Sequence, residues 1–199
     1  MIELLVLLGV AFLGSSFVND ASDEELSDDV NLSDDGTEEG QAYSTYHEGS
    51  ETVEAGAGDD IITGYYLHSV PGDITFIGED FDSDYIDGGS GDDIIKLASA
   101  DRGVGGTGND TFIISSQIED GEVAQILDFS SGEDIICIEF PSQMNDENLT
   151  TIQPEEIEVD IVNSEDGSNS TIVINGKPIA NVFGDAILSA ASIELIFQE

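Results

Sequence analysis

The chain has 199 residues, 44 of them acidic and only three basic (Lys96, Arg102 and Lys177), for a formal net charge of −41. A compact body with that charge repels itself unless something neutralises it; it excludes nucleic acid, which needs a basic face, and makes cations the natural partners. The single cysteine, Cys137, excludes an intrachain disulfide and a cysteine-based zinc site.

The first segment, residues 1–18, reads "MIELLVLLGVAFLGSSFV" and is apolar from Leu4 to Val18 apart from small residues. It is shorter than the roughly twenty residues of a membrane span. It carries no Lys or Arg ahead of its apolar core, so it matches an export signal poorly. A short membrane anchor through residues 4–18, an atypical export signal and a buried element all stay open.

Residues 19–54 change character. "NDASDEELSDDVNLSDDGTEEG" has many acids, no base and few apolar residues. That composition predicts a disordered, self-repelling acidic linker.

Residues 55–121 hold a repeat. Gly88-Gly89-Ser90-Gly91-Asp92-Asp93-Ile94-Ile95-Lys96 fits GGxGxDxUx, where U is a large apolar residue. Gly105-Gly106-Thr107-Gly108-Asn109-Asp110-Thr111-Phe112-Ile113 fits it fully, and Ala55-Gly56-Ala57-Gly58-Asp59-Asp60-Ile61-Ile62-Thr63 fits with one Ala for Gly. "EDFDSDYID" (79–87) keeps Asp84 and Ile86 in phase without the glycines, and "PGDITFIG" is a weaker echo. The glycines reach backbone conformations closed to other residues and turn carbonyls toward one point. The Asp adds a carboxylate there, and the apolar residue after it starts a short strand. Each nonapeptide is half a coil, so loops about eighteen residues apart stack one strand spacing, about 4.8 Å, from each other. Loops 88–93 and 105–110 are seventeen apart because the half-coil between them is one residue short. Carboxylates and carbonyls converging there suit calcium, which takes six to eight oxygens in flexible geometry, better than magnesium with its tight octahedron.

Residues 122–199 read as strands. "EVAQILDF", "EDIICIEF", "EIEVDIV" and "STIVINGKPIANVF" are alternating or β-branched runs separated by turn residues. Asn175-Gly176 predicts a two-residue hairpin turn. Ser189 is placed to cap a short terminal helix in "AASIELIF", with a strand as the alternative. Cys137, inside "DIICIEF", is expected as a buried inert thiol.

The repeats resemble those of the RTX family, the glycine-rich nonapeptide proteins that form calcium-bound parallel β-rolls. The likeness covers about sixty residues directly and extends less sharply to "ILDFSSGEDIICI" and the final hairpin. The resemblance implies an all-β chain: a short right-handed parallel β-roll capped by C-terminal antiparallel strands, after the disordered acidic linker. It implies calcium ligands at Asp60, Asp93 and Asp110, with carbonyls from Gly56, Gly58, Gly89, Gly91, Gly106 and Gly108. Asp84 fits the carboxylate position alone. It further implies folding coupled to extracellular calcium, export through a type I secretion apparatus that reads an uncleaved C-terminal signal, and a place outside the cell or on its surface. The alternative is a membrane-anchored adhesion or matrix protein with the same roll. Capping of turns is the expected role of Asp128 and Asp134, with calcium ligation at the roll's end as the alternative.

An enzyme is not expected. "HEGSE" offers His47-Glu48 but Glu51 where a zinc protease needs its second His, and no GxSxG occurs. "DFDSDYIDGGSG" fails as an EF-hand at its sixth and twelfth positions, Tyr85 and Gly91.

Overall fold

The computed structural model describes residues 31–33, 40, 42–44, 50–63, 65–70, 73–79, 83–116, 122–140, 157–184 and 188–197. The apolar segment 1–18, the pair His47-Glu48 and part of the acidic stretch lie outside the described residues. Among the described residues, no helix is long and apolar enough to cross a membrane.

Among the described residues sixteen strands follow one another: β1 (Asn31–Ser33), β2 (Ala42–Ser44), β3 (Thr52–Glu54), β4 (Ile61–Thr63), β5 (Tyr65–Val70), β6 (Asp73–Glu79), β7 (Tyr85–Ser90), β8 (Ile94–Leu97), β9 (Arg102–Thr107), β10 (Thr111–Ser115), β11 (Ala124–Phe129), β12 (Ile135–Phe140), β13 (Val159–Asn163), β14 (Asn169–Ile174), β15 (Lys177–Gly184) and β16 (Ile193–Phe197). From β1 to β12, the β5–β6 hairpin aside, they alternate between two sheets. One sheet has the order β1-β3-β7-β9-β11-β15-β14-β13 and the other β16-β12-β10-β8-β4-β2. The pairings from β1 through β11 to β15, and from β2 through β12 to β16, are all parallel. The described residues therefore form an all-β, mainly parallel coil, with each half-turn donating one strand and each full turn one strand to each sheet.

Register keeps like residues in line. Val53, Ile86, Gly103 and Ile126 are neighbours across one sheet, and Ile62, Ile95, Phe112 and Ile136 across the other. Apart from Gly103, these side chains are fully buried between the sheets. Gly103 makes room for its bulky neighbours: a Cβ there would meet both Leu97 methyls and the Phe112 ring. The Phe112 ring is thus packed where the facing strand has no side chain. Phe112→Ala is expected to cost about 3–5 kcal/mol, the usual range for a buried aromatic truncation. A denaturation midpoint that moves no further than that of Ile135→Ala, on the half-exposed outer face, would contradict this packing.

Four expectations are corrected. The acidic linker 19–54 contains β1, β2 and β3, which extend both sheets. Strands of three residues place one residue each in line with the core rows, too few to outweigh the surrounding acids in a composition reading. "PGDITFIG" is no rung of the coil: β6 pairs antiparallel with β5 in a separate two-stranded sheet. Residues 122–199 are not an antiparallel cap throughout. β11, β12 and β16 pair only in parallel, and the antiparallel part is β13–β14–β15. Finally, of the two readings of "AASIELIF" the helix gives way to the strand: one 3-10 turn (Ala190–Ser192) leads into β16, and Ser189 makes no side-chain cap. Phe197 stacks on Phe140 with centroids 5.1 Å apart, which ties β16 to β12.

Asn175 (φ 50) and Gly176 (φ 79) form the tight turn between β14 and β15, both in the left-handed region that such a hairpin demands. Cys137 is buried, and burial together with the Glu194 carboxylate pushes its thiol up to about 11. It is inert at neutral pH.

Candidate metal centre: a glycine edge and its carboxylate column

The seventeen-residue spacing brings the two full repeats into contact as stacked loops. Gly89 pairs with Gly106 and Ser90 with Thr107 across β7 and β9. Gly91 donates its N–H to the Thr107 carbonyl at 2.9 Å. The loop of residues 55–60 stacks on the other side of 88–93: Ser90 N–H donates to Gly56 O, and Gly58 N–H to Ser90 O. Gly56, Gly58, Gly89, Gly91, Gly106 and Gly108 all have φ between 93 and 141. A Cβ added at Gly89, Gly91, Gly106 or Gly108 would run into the carbonyl oxygen of Gly56, Gly58, Gly89 or Gly91 respectively. The carbonyls thus point along the stack, each at the matching glycine of the next loop.

The carboxylates form a column through the same edge. Asp60, Asp93 and Asp110 are at most 2% exposed. Asp60 N–H donates to Asp93 Oδ1 (2.8 Å), Asp93 N–H to Asp110 Oδ1 (3.0 Å), and Asp110 N–H to Asp134 Oδ1 (3.0 Å). Each Asp so caps the loop below it. The second oxygens occupy space that the first glycine of each repeat leaves open. A Cβ on Gly88 would strike Asp93 Oδ2, and a Cβ on Gly105 would strike Asp110 Oδ2. Asp93 Oδ2 is buried with no hydrogen-bond partner, and the Gly105 carbonyl faces the same Cβ position of Gly88. A carboxylate oxygen and a carbonyl oxygen therefore converge without a donor for the former, which is costly for a buried acceptor.

The energetic sign is visible in the ionisation of these groups. Burial pushes Asp93 up to about 6, opposed by the Asp60 N–H and assisted by the charges of Asp110, Asp60 and Asp59. Burial likewise raises Asp110 to about 6, opposed by the Asp93 N–H and assisted by Asp134, Asp128 and Asp92. Asp134 is raised by burial too. The column holds negative charge reluctantly, and a cation between the loops would relieve it.

Asp84 is not in this column. It lies at the opposite edge of the coil with two groups that the glycine pattern missed, Glu51 and Asp101. Glu51 N–H donates to Asp84 Oδ1 (2.9 Å) and Asp84 N–H to Asp101 Oδ1 (3.1 Å). A signal for them exists in the chain: 51 and 60, 84 and 93, and 101 and 110 are each nine apart. A third, exposed ladder was also missed: Asp92 N–H donates to Asp59 Oδ1, and Asn109 donates to Asp92 Oδ1 from both its backbone and its side chain. At the upper end Asp128 accepts the N–H groups of Gly105 and Gly106, and Asp134 those of Asp110 and Ser130. Both cap turns. Beside them an open cleft of about 470 Å³ is lined by Gly106, Gly108, Asn109, Asp128, Ser130 and Glu133, among others.

Among the described residues no three acidic, histidine or cysteine side chains converge on one point. A cation at the glycine edge would therefore draw most of its ligands from backbone carbonyls and water. That favours a hard ion of flexible coordination, calcium over zinc.

No family model matches the chain, and no curated protein matches it. A similar solved structure is the solution structure of the AlgE6R3 subunit from the Azotobacter vinelandii mannuronan C5-epimerase. It is 22% identical, the match covers 81% of this chain and 82% of that one, and the TM-score is 0.27.

Proposed function

We propose that this protein is a non-catalytic calcium-binding module whose folding is coupled to the ion. The observation that carries this reading is the glycine edge, where the buried, donorless Asp93 Oδ2 and the Gly105 carbonyl face one glycine-made gap. Asp60, Asp93 and Asp110 supply carboxylates, and Gly56, Gly58, Gly89, Gly91, Gly106 and Gly108 supply carbonyls. The coil is the right-handed parallel roll of the RTX type, the hand that parallel crossovers take in nearly all cases.

The setting we propose is outside the cell or on its surface. Extracellular calcium modules have dissociation constants of about 10⁻⁴–10⁻³ M. With free ion at roughly 100 times that constant, each site adds about 2.7 kcal/mol to the fold; at micromolar calcium it adds almost nothing. Such a chain stays open inside the cell and closes outside, as export through a type I channel requires.

The test is a calcium titration followed by circular dichroism on the full chain and on an Asp93→Ala/Asp110→Ala variant. Wild type is expected to gain β-structure as calcium rises through the submillimolar range, and the variant to need at least tenfold more ion. Equal curves would remove these residues from the site, and a wild-type spectrum indifferent to calcium would end the reading.

A further inference from the structure

The ladder between β9 and β11 is short. It runs through Arg102 and Gly103, paired with Gln125 and Ile126, whereas β7 and β9 stay in register as far as Ser90 and Thr107. On its other side β11 shifts register against β15 between Ile126 and Phe129. The amides of Gly105 and Gly106 therefore lie beyond the end of the β9–β11 ladder. A side chain answers them: Asp128 Oδ1 accepts the Gly105 N–H at 2.9 Å, and Oδ2 the Gly106 N–H at 2.8 Å. Two successive N–H groups around one carboxylate make a small anion-binding nest.

Holding an amide also fixes what lies on the far side of its peptide. The Gly105 carbonyl and the Gly106 N–H belong to one planar trans unit, so they point in opposite directions. With the N–H held by Asp128 from the rung above, the carbonyl is turned toward loop 88–93 below. There it faces the gap left at Gly88, beside Asp93 Oδ2. The other full repeat achieves the same hold from within its own strand. Asp87, just before Gly88, accepts the N–H of Gly89. Its register partner on β9 is Val104, so the second repeat has no carboxylate at that place, and Asp128 reaches the glycine pair from another strand.

We infer that Asp128 is a positioning residue of the calcium centre: it ligates no ion and, by gripping the Gly106 amide, aims the Gly105 carbonyl at the space beside Asp93 Oδ2. The inference rests on the calcium reading above. It gives the turn cap at Asp128 a consequence for the ion, and it explains why a carboxylate stands outside each of the two glycine pairs.

Calcium titration by calorimetry on the full chain tests it, beside Asp128→Ala, Asp93→Asn and the double variant. Asp128→Ala is expected to bind as many ions as wild type but about tenfold more weakly at one site, the scale on which groups that orient metal ligands act. Asp93→Asn is expected to lose an ion. In that background Asp128→Ala should have no further effect on calcium affinity, because the site that the carbonyl serves is gone; residues acting through one site are not additive. Loss of an ion in Asp128→Ala alone would make Asp128 a ligand and overturn the inference. An unchanged affinity would overturn it too, as would a weakening that persists in full beside Asp93→Asn, the mark of a general prop for the fold. Each of these leaves the calcium reading standing, whereas a wild type that takes up no calcium ends both. Should Asp128→Ala not fold in saturating calcium, Asp128→Asn takes its place. Its amide oxygen keeps one of the two bonds while its NH2 group faces the other N–H, and the same outcomes decide.

Discussion

Gly108→Ala is expected to cost about 3–5 kcal/mol, at the upper end of single-substitution effects, whereas Gly132→Ala should cost only about 1–2 kcal/mol. Both positions have positive φ, 141 at Gly108 and 93 at Gly132. The backbone penalty for an L side chain in that region is about 1–2 kcal/mol and applies to both. The difference lies in what the new methyl meets. At Gly132 there is nothing within 4 Å. At Gly108 the methyl lands on the Gly91 carbonyl oxygen, with the Asp92 carboxylate close by. To admit it, two loops that exchange backbone hydrogen bonds must separate. Total stabilities run to about 5–15 kcal/mol, so the Gly108 change consumes a large share and should also raise the calcium needed for folding. Urea denaturation in saturating calcium measures both variants. Equal losses would mean that the glycines serve backbone freedom alone and that loop contact is irrelevant.

That distinction also explains which parts of the fold were legible beforehand. The seventeen-residue spacing placed loop 105–110 on loop 88–93 because a strict repeat leaves few other ways to stack. Asn175-Gly176 announced its hairpin because only such residues take φ 50 and φ 79 cheaply. The strands β11 to β15 were visible as alternating runs, yet period-two patterning says which face is buried and nothing about the direction of the neighbour. Hence the parallel seats of β11, β12 and β16 stayed hidden. β1 to β3 were hidden for another reason. Leu32 and Val53 share one register row with Ile86, but a single apolar residue amid acids carries no periodicity of its own. Such a strand exists because the following rung offers a template edge.

The candidate site was half legible for a related cause. Glycine marks loops whose carbonyls approach a neighbour, so the glycine edge could be read directly, with Asp60, Asp93 and Asp110. The opposite edge has no glycine to mark it. Asp101 and Glu51 reveal themselves only through their nine-residue offset from Asp110 and Asp60, a half-period that becomes meaningful once the coil is known.

In excess chelator the chain is expected to become more stable as pH falls from 7.5 to about 4.5, and in saturating calcium to become less stable over the same range. The sign follows from the raised carboxyls. Asp93 and Asp110 sit at about 6 in the folded state against an ordinary 3.8, and Asp134 and Asp87 are raised in the same direction, all with burial as the first cause. Between those values the folded state binds more protons than the unfolded one, so stability falls as pH rises through the window. The contribution is fully present below 3.8 and lost above about 6. At pH 7.5 these carboxyls are ionised inside a chain of formal charge −41, and the metal-free protein should lose most of its β-structure there. Asp166 and Asp92 act oppositely, because hydrogen bonds from Ser168 and Asn109 lower them, but their effect is confined below the ordinary carboxyl range and leaves the window untouched. Calcium inverts the slope because it binds the carboxylate form, so protons compete with it. Melting curves at several pH values, with and without the ion, would show two lines of opposite slope that cross on the acid side. A metal-free melting temperature that falls on acidification would mean that the column's charge is neutralised by something in the chain itself, and no ion would then be needed to hold the glycine edge together.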